Sequence, residues 1–351
     1  MSIEAKSRAR GALYGLAIGD ALGMPAQLLS RAQIRDRWGD LLVGFEPAPP
    51  GHPIAAGMPA GSVTDDTEQA VLLGRLLVSG HGTIEPNEFA SALVRWERDM
   101  AGRGSLDLLG PSTKRAVEAV LNGTPPTDAG SAGATNGAAM RITPVGIAVP
   151  LPSARAAAVA FTRNELSALV DQVVRASYVT HNTGIALAGA AAVAAAVSAG
   201  VGGATVAEAT EMGIRAAHVA ASRGHWVAGA DVASRIAWAT GLISSRPRRE
   251  AADLIYRLVG TSLATQESVP AAFAVLAAVP GDPWRACLLA ASLGGDCDTI
   301  AAMAGAIGGA CHGLGAFPPD AVAVVEAQDL GLAALADDLL ALRGGLEGET
   351  R

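Results

Sequence analysis

The sequence predicts an all-α protein folded as a single domain, and three observations carry that expectation. Half of the 351 residues are apolar, while aromatic residues make up only 4%. The core must then be assembled from Ala, Leu, Val and Gly, a mixture that suits closely approaching helices better than a β-sandwich. Apolar residues recur at helical spacing along most of the chain, and no run alternates apolar and polar residues long enough to mark a sheet. No fixed-period repeat occurs, and no linker divides two independently hydrophobic halves. One domain over 1–351 is expected, with its motifs between about 11 and 313.

The first helical pattern is RGALYGLAIGDALG, with Gly11, Gly15, Gly19 and Gly23 at strict four-residue spacing. Each glycine weakens a helix by about 1 kcal/mol relative to alanine. A stripe of four therefore predicts that another backbone packs against that face. Residues 44–61 are rich in Pro and Gly and read as a long loop, which in a compact domain is more often functional than idle. Helices are expected at about 65–78 and 85–100, followed by an irregular stretch over 122–140. Further helices are expected at about 153–162, 165–200, 204–222, 230–243, 249–260, 268–278, 283–292, 299–311 and 319–343. The turn Ser245-Arg246-Pro247-Arg248-Arg249 reads as a solvated face.

Residues 184–203 are uncharged over about the length of a bilayer span. They are mostly Ala and Gly, lack Trp, Tyr or Lys anchors, and follow directly on a polar string, so a buried central helix is expected instead. The formal net charge of -7 argues against duplex binding, which needs a basic face to displace counterions. Cys287, Cys297 and Cys311 are odd in number and form no CxxC, which fits a reducing cytosol. The N-terminus lacks the pattern of a secretory leader. A cytoplasmic monomer with no nucleic-acid or membrane partner is the expectation.

Two strings could carry chemistry. Gly61-Ser62-Val63-Thr64-Asp65-Asp66-Thr67-Glu68 joins the Pro/Gly loop to an apolar helix. Taken alone it reads as a cap, Asp65 and Glu68 forming a capping box. A cap needs one oxygen, however, and here a hydroxyl and two adjacent carboxylates crowd one turn. A cation between Asp65 and Asp66 would relieve their repulsion. Gly294-Gly295-Asp296-Cys297-Asp298-Thr299 opens a second apolar helix in the same way. Hard oxygen ligands of this kind suit Mg²⁺ or Mn²⁺. Cys297 is expected to point into the core, with a zinc site at Cys297, Cys311 and His312 as a minor alternative of unusual spacing. Two matching oxygen clusters are what a centre of two ions ~4 Å apart requires.

Between them, Gly133 to Arg141 can present backbone N–H groups at a helix start, as phosphate sites do. His181 lies in Ser177-Tyr178-Val179-Thr180-His181-Asn182, inside a helical pattern, where a lone histidine is more often a core residue than a catalyst. Glu267 reads equally as a neighbour of a helix cap.

Jointly these pieces resemble the ADP-ribosylglycohydrolase family, which includes the dinitrogenase reductase-activating glycohydrolases and the ADP-ribosyl-arginine and ADP-ribosyl-serine hydrolases. The matching strings are GLAIGDALGMPAQ (Gly15 to Gln27), VTDDTEQA (Val63 to Ala70), NGAAMRITPVG (Asn136 to Gly146), SYVTHNT (Ser177 to Thr183), ESVPAA (Glu267 to Ala272) and LGGDCDTIAAMAGA (Leu293 to Ala306). The resemblance implies an orthogonal helical bundle with two Mg²⁺ ions, or Mn²⁺, at the bottom of a cleft. It implies Thr64, Asp65, Asp66, Asp296, Asp298 and Thr299 as metal ligands, with Asp65, Asp66 and Asp298 catalytic. It also implies that Gln27, Asn136, Gly137, Ala138, Met140, Arg141 and His181 line the ADP-ribose side.

The implied reaction is cleavage of the glycosidic bond of an ADP-ribosylated protein or metabolite. Ribose hydroxyls would chelate the metals, and carboxylates would stabilise oxocarbenium character. The family's usual strings run GDALGAPVE and GGDTDT. Here Gln27 stands where a Glu is usual, and Cys297 where a Thr is common. The amide of Gln27 cannot transfer a proton, which opens a second function: an N-glycosidase of a smaller ribosylated metabolite or nucleoside. A third is an inactive relative that binds ADP-ribose.

Overall fold

The computed structural model describes residues 2–102, 109–151 and 163–349. In chain order the helices are α1 (Ile3–Gly23), α2 (Arg31–Trp38), α3 (Asp65–Ser79), α4 (Pro86–Gly102), α5 (Pro111–Leu121), α6 (Pro126–Ala129), α7 (Gly137–Met140), α8 (Thr143–Ala148) and α9 (Arg163–Ser177). They continue as α10 (Gly184–Val201), α11 (Val206–Ala220), α12 (Val232–Ile243), α13 (Arg248–Leu254), α14 (Thr265–Ala278), α15 (Pro283–Ala291), α16 (Cys297–His312), α17 (Pro319–Glu326) and α18 (Leu332–Glu349). Among the described residues there is no strand, only isolated bridges pairing Thr135 with Ala264 and Thr183 with His225. The all-α expectation holds.

The glycine stripe does what its spacing predicts. α1 and α16 run antiparallel, with Gly11 against Gly309, Gly15 against Gly305, Gly19 against Ala301 and Gly23 against Asp298. A Cβ built on Gly15 would stand 2.1 Å from the Gly305 carbonyl oxygen, and one on Gly305 would stand 2.0 Å from the Gly15 oxygen. The two backbones therefore touch directly, and this contact lays the start of α16 on the end of α1. α10 is the most apolar helix and is buried along its whole length among α7, α8, α9, α11 and α16. That burial accounts for a segment apolar enough, by length and composition, to cross a membrane.

The structure departs from the expected helices in several places. The pattern over 165–200 is two helices, broken at Tyr178–Thr183, because Thr183 caps α10 by accepting from Ala186 N–H while Thr180 and His181 turn their side chains inward. The pattern over 319–343 is likewise split, with Gly331 at φ 71° just before α18. The pattern over 249–260 ends in a π-turn at Ile255–Val259. α2, α5 and α8 are helices that periodicity did not single out. The helix expected at 153–162 lies outside the described residues.

Candidate active site

Asp20 organises the site. It sits on α1, one residue beyond Gly19, and is fully buried. Its carboxylate accepts from Thr64 N–H at 2.9 Å, the Thr64 hydroxyl at 2.8 Å, Thr67 N–H at 3.2 Å and the Thr67 hydroxyl. These four bonds tie the start of α3 to α1. Burial raises the Asp20 pKa to about 6, with the Thr67 and Thr64 donors pulling it the other way. Thr64, not Asp65, is the N-cap of α3, accepting from Asp66 N–H. Glu68 accepts from the Trp96 indole at 2.6 Å and closes no box with Asp65. The capping-box reading of Asp65 is thereby corrected.

The second acidic string is bent into place by Gly294 and Gly295, at φ 88° and 70°, a conformation that side chains rarely adopt. The turn is held by Leu28 N–H to Gly295 O at 2.7 Å and by Asp296 N–H to Thr261 O at 2.7 Å. It delivers the Thr299 hydroxyl to Asp66 Oδ2 at 3.2 Å, the same oxygen that the Thr64 hydroxyl approaches at 3.2 Å. Residues 233 positions apart thus meet through one carboxylate oxygen. Asp66 and Asp298 are 1% and 2% exposed, while Asp65 and Asp296 are partly exposed. Cys297 turns away into the core, its Sγ 3.8 Å from Gly23 O, and burial pushes its thiol pKa well up. A zinc site with Cys311 is ruled out, because the two cysteines lie fourteen residues apart on one helix, roughly 21 Å at helical rise.

Asn136 closes the other side. Its N–H bonds Leu263 O, and its Nδ2 donates to both Ser268 Oγ and Asp296 Oδ2. Burial raises the Asp296 pKa, opposed by hydrogen bonds from Asn136 and Thr299. Gly137, Ala138 and Met140 form the buried turn α7, and Gly137 lies against the His181 ring.

Arg141 and His181, expected on the ADP-ribose side, are both 0% exposed and stand behind the surface. Gln69 links Asp65 to Arg141, since Gln69 Nε2 donates to Asp65 Oδ2 at 2.9 Å and Arg141 donates to Gln69 Oε1 at 2.9 Å. On its other side Arg141 donates to Thr180 Oγ1, which lies 2.8 Å from His181 Nδ1. His181 Nε2 reaches Thr135 Oγ1 at 2.9 Å. Gln27 is buried next to the Gly295 turn. Its backbone oxygen contacts His52 Nε2 at 2.8 Å, and its own Nε2 has no hydrogen-bond partner. Asp20, Thr67, Gln69, Thr135 and Thr180 are the site's neighbours that sequence reasoning left unassigned. The only available signal was their place within, or next to, the quoted strings.

Burial, with the Arg141 and Arg115 charges, lowers the His181 pKa well below the usual histidine range. The folded state therefore keeps the ring neutral where the unfolded chain would protonate it. Stability is unaffected above pH ~6.5 and falls below it, by about 1.4 kcal/mol per pH unit from this group. His181→Asn should lower the melting temperature at pH 7.5 yet flatten its decline between pH 6.5 and 5. Parallel melting curves for the two proteins across that range would discard the neutral-ring assignment.

The donor set consists of carboxylate and hydroxyl oxygens, which suits Mg²⁺ or Mn²⁺. Holding Asp66 and Asp298 out of water is costly, and a bound cation would offset part of that cost. Among the described residues no three acidic, histidine or cysteine side chains form a preformed cage. An ion on Asp66 would replace the Thr299 hydroxyl as the partner of its Oδ2.

The two acidic strings are thus brought together where the start of α16 lies on the end of α1. The ADP-ribosylglycohydrolase family model matches residues 1–348, and the chain belongs to that family. The uncharacterized protein YegU of Escherichia coli strain K12 is 33% identical over 321 residues, covering 91% of this chain and 92% of that one. The ADP-ribosylarginine hydrolase Tri1 of Pseudomonas putida strain GB-1 is 35% identical over 188 residues, 51% of this chain and 43% of that protein. A solved structure described as an ADP-ribosylglycohydrolase-related protein complex superposes with a TM-score of 0.70 at 25% identity, covering 97% of this chain and 100% of that one.

Proposed function

We propose that the chain hydrolyses the glycosidic bond joining ADP-ribose to a protein side chain, arginine or serine, with two Mg²⁺ or Mn²⁺ ions. The observation that carries this is the meeting of Thr299 and Asp66, which joins both acidic strings into one oxygen-lined site. Thr64, Asp65, Asp66, Asp296, Asp298 and Thr299 would hold the ions. When bound there, the cations would supply Lewis-acid charge to ribose hydroxyls and a lowered pKa for water. Asp66 and Asp298, held in a site shielded from solvent, stabilise positive charge at the anomeric carbon as the leaving group departs. Asn136 fixes the Asp296 carboxylate against rotation. Three buried free cysteines are consistent with a reducing cytoplasm.

One observation favours a second reading, cleavage of a smaller ribosylated metabolite. Gln27 offers a neutral amide, its Nε2 without a hydrogen-bond partner, where an acid is usual, so proton transfer there is unavailable. Purified protein should release ADP-ribose from ADP-ribosyl-arginine or -serine peptides, lose that activity in EDTA, and regain it with Mg²⁺ or Mn²⁺. Turnover of N-ribosides with inert peptides would favour the second reading. Tight ADP-ribose binding without turnover of either substrate would reject an enzyme altogether.

A further inference from the structure

The buried chain of side chains behind the site has a direction, fixed by charge at Gln69 and set by distance at Thr180. Arg141 carries only donors. Gln69 must therefore turn its oxygen to Arg141 and its NH₂ to Asp65, which removes the usual ambiguity of amide orientation. Arg141 also donates to Thr180 Oγ1, so the Thr180 hydrogen is left to choose between His181 Nδ1 at 2.8 Å and Ser177 O at 3.4 Å. It takes the shorter. His181 Nδ1 then accepts, the ring proton sits on Nε2, and Nε2 donates to Thr135 Oγ1. With that oxygen already accepting, the Thr135 hydrogen points elsewhere, and no acceptor for it exists among the described residues.

Gln69, Arg141, Thr180 and His181 are all 0% exposed. Only the two ends, Asp65 and Thr135, are partly exposed. Arg141 also lies over the Phe89 ring, 5.0 Å from its centre, and its Nε has no hydrogen-bond partner. Keeping a guanidinium in such a place is expensive unless its remaining donors do something that an apolar residue could not.

We infer that Arg141 is a positioning residue which, donating in both directions, fixes the Asp65 carboxylate at one end and aims the Thr135 hydroxyl as a hydrogen-bond donor at the other. The group that Thr135 meets is then an acceptor oxygen, such as that of a phosphate in ADP-ribose. Asn136, the next residue, holds Asp296. The Asp65 carboxylate and the Thr135 hydroxyl are thereby set from one buried cation. The inference about Thr135 rests on the function proposed above, whereas the direction of the chain does not.

Three measurements on the full-length protein test it. Long-range ¹⁵N NMR, with His181→Asn to assign the ring, should show His181 neutral and protonated on Nε2 at pH 7. Protonation on Nδ1 or on both nitrogens would overturn the directed chain. Binding of Mn²⁺ alone should weaken about tenfold in Gln69→Met, as for loss of a residue that orients a metal ligand, and stay within about twofold in Thr135→Val. With Mn²⁺ saturating, ADP-ribose should bind about fivefold more weakly to Thr135→Val.

Unchanged Mn²⁺ binding in Gln69→Met overturns the Asp65 limb, and unchanged ADP-ribose binding in Thr135→Val overturns the other. Arg141→Met should show both losses, and should it fail to fold, the two limb variants decide. If the wild-type protein binds no ADP-ribose at all, the proposed function falls, while the NMR result still judges the chain.

Discussion

Asp66→Asn is expected to lower glycohydrolase turnover by about a thousandfold, the equivalent of about 4 kcal/mol of transition-state stabilisation. The substitution keeps the shape of a side chain that is 1% exposed, so the core around it need not move. It replaces one carboxylate oxygen by an NH₂ where the Thr64 and Thr299 hydroxyls now converge, and it removes the charge that a divalent cation requires. Stability gives an independent readout. At a hundredfold excess over its Kd, Mg²⁺ should stabilise the wild-type protein by about 2.7 kcal/mol by mass action. The variant should melt near the metal-free wild type and show little Mg²⁺ response. Retention of both the activity and the Mg²⁺ shift would remove Asp66 from the site's chemistry.

Gly19→Ala should destabilise the fold and disable the site together. Its Cβ would stand 2.1 Å from the Ala301 carbonyl oxygen, against an ordinary carbon–oxygen contact of about 3.3 Å. α1 and α16 must then separate by about 1 Å. Overpacking of this kind costs about 3 kcal/mol, while the gain in helix propensity returns only about 1 kcal/mol. The steric cost exceeds the propensity gain, and the melting temperature falls by several degrees. Asp20 follows directly on Gly19, and Asp298 lies across from Gly23. A shift of about 1 Å between these helices can therefore cost a hundredfold in rate. Gly241→Ala is the control: it lies within α12 with nothing near its Cβ, and it should raise stability by up to about 1 kcal/mol. If Gly19→Ala and Gly241→Ala shift the melting temperature alike, the backbone contact is not as close as described.

Much of this arrangement is legible in the sequence. The four-residue glycine spacing implied a touching helix, and α16 is that helix. The acidic strings announced themselves because two carboxylates and a hydroxyl exceed what a helix start needs. The buried character of α10 followed from an Ala/Gly composition without interfacial anchors. Other features were illegible for physical reasons. Tyr178–Thr183 reads as helix because its apolar spacing continues across the break, whereas the bond from the Thr183 hydroxyl to Gly133 O and the inward turn of Thr180 and His181 depend on partners elsewhere in the chain. Asp20 looked like a polar residue on a helix, since nothing local reveals that Thr64 and Thr67 arrive to donate four bonds to it.

The amino-acid order alone determined the helical class, the close approach of two backbones and the identity of the acidic strings, because each depends on composition or on spacing within a few turns. Tertiary packing decided that Thr299 reaches Asp66, that Arg141 and His181 lie behind the surface, and that Gln69 stands between Asp65 and Arg141. Those outcomes depend on how rigid helices orient against one another, a geometry summed over the whole core that no short stretch of chain encodes.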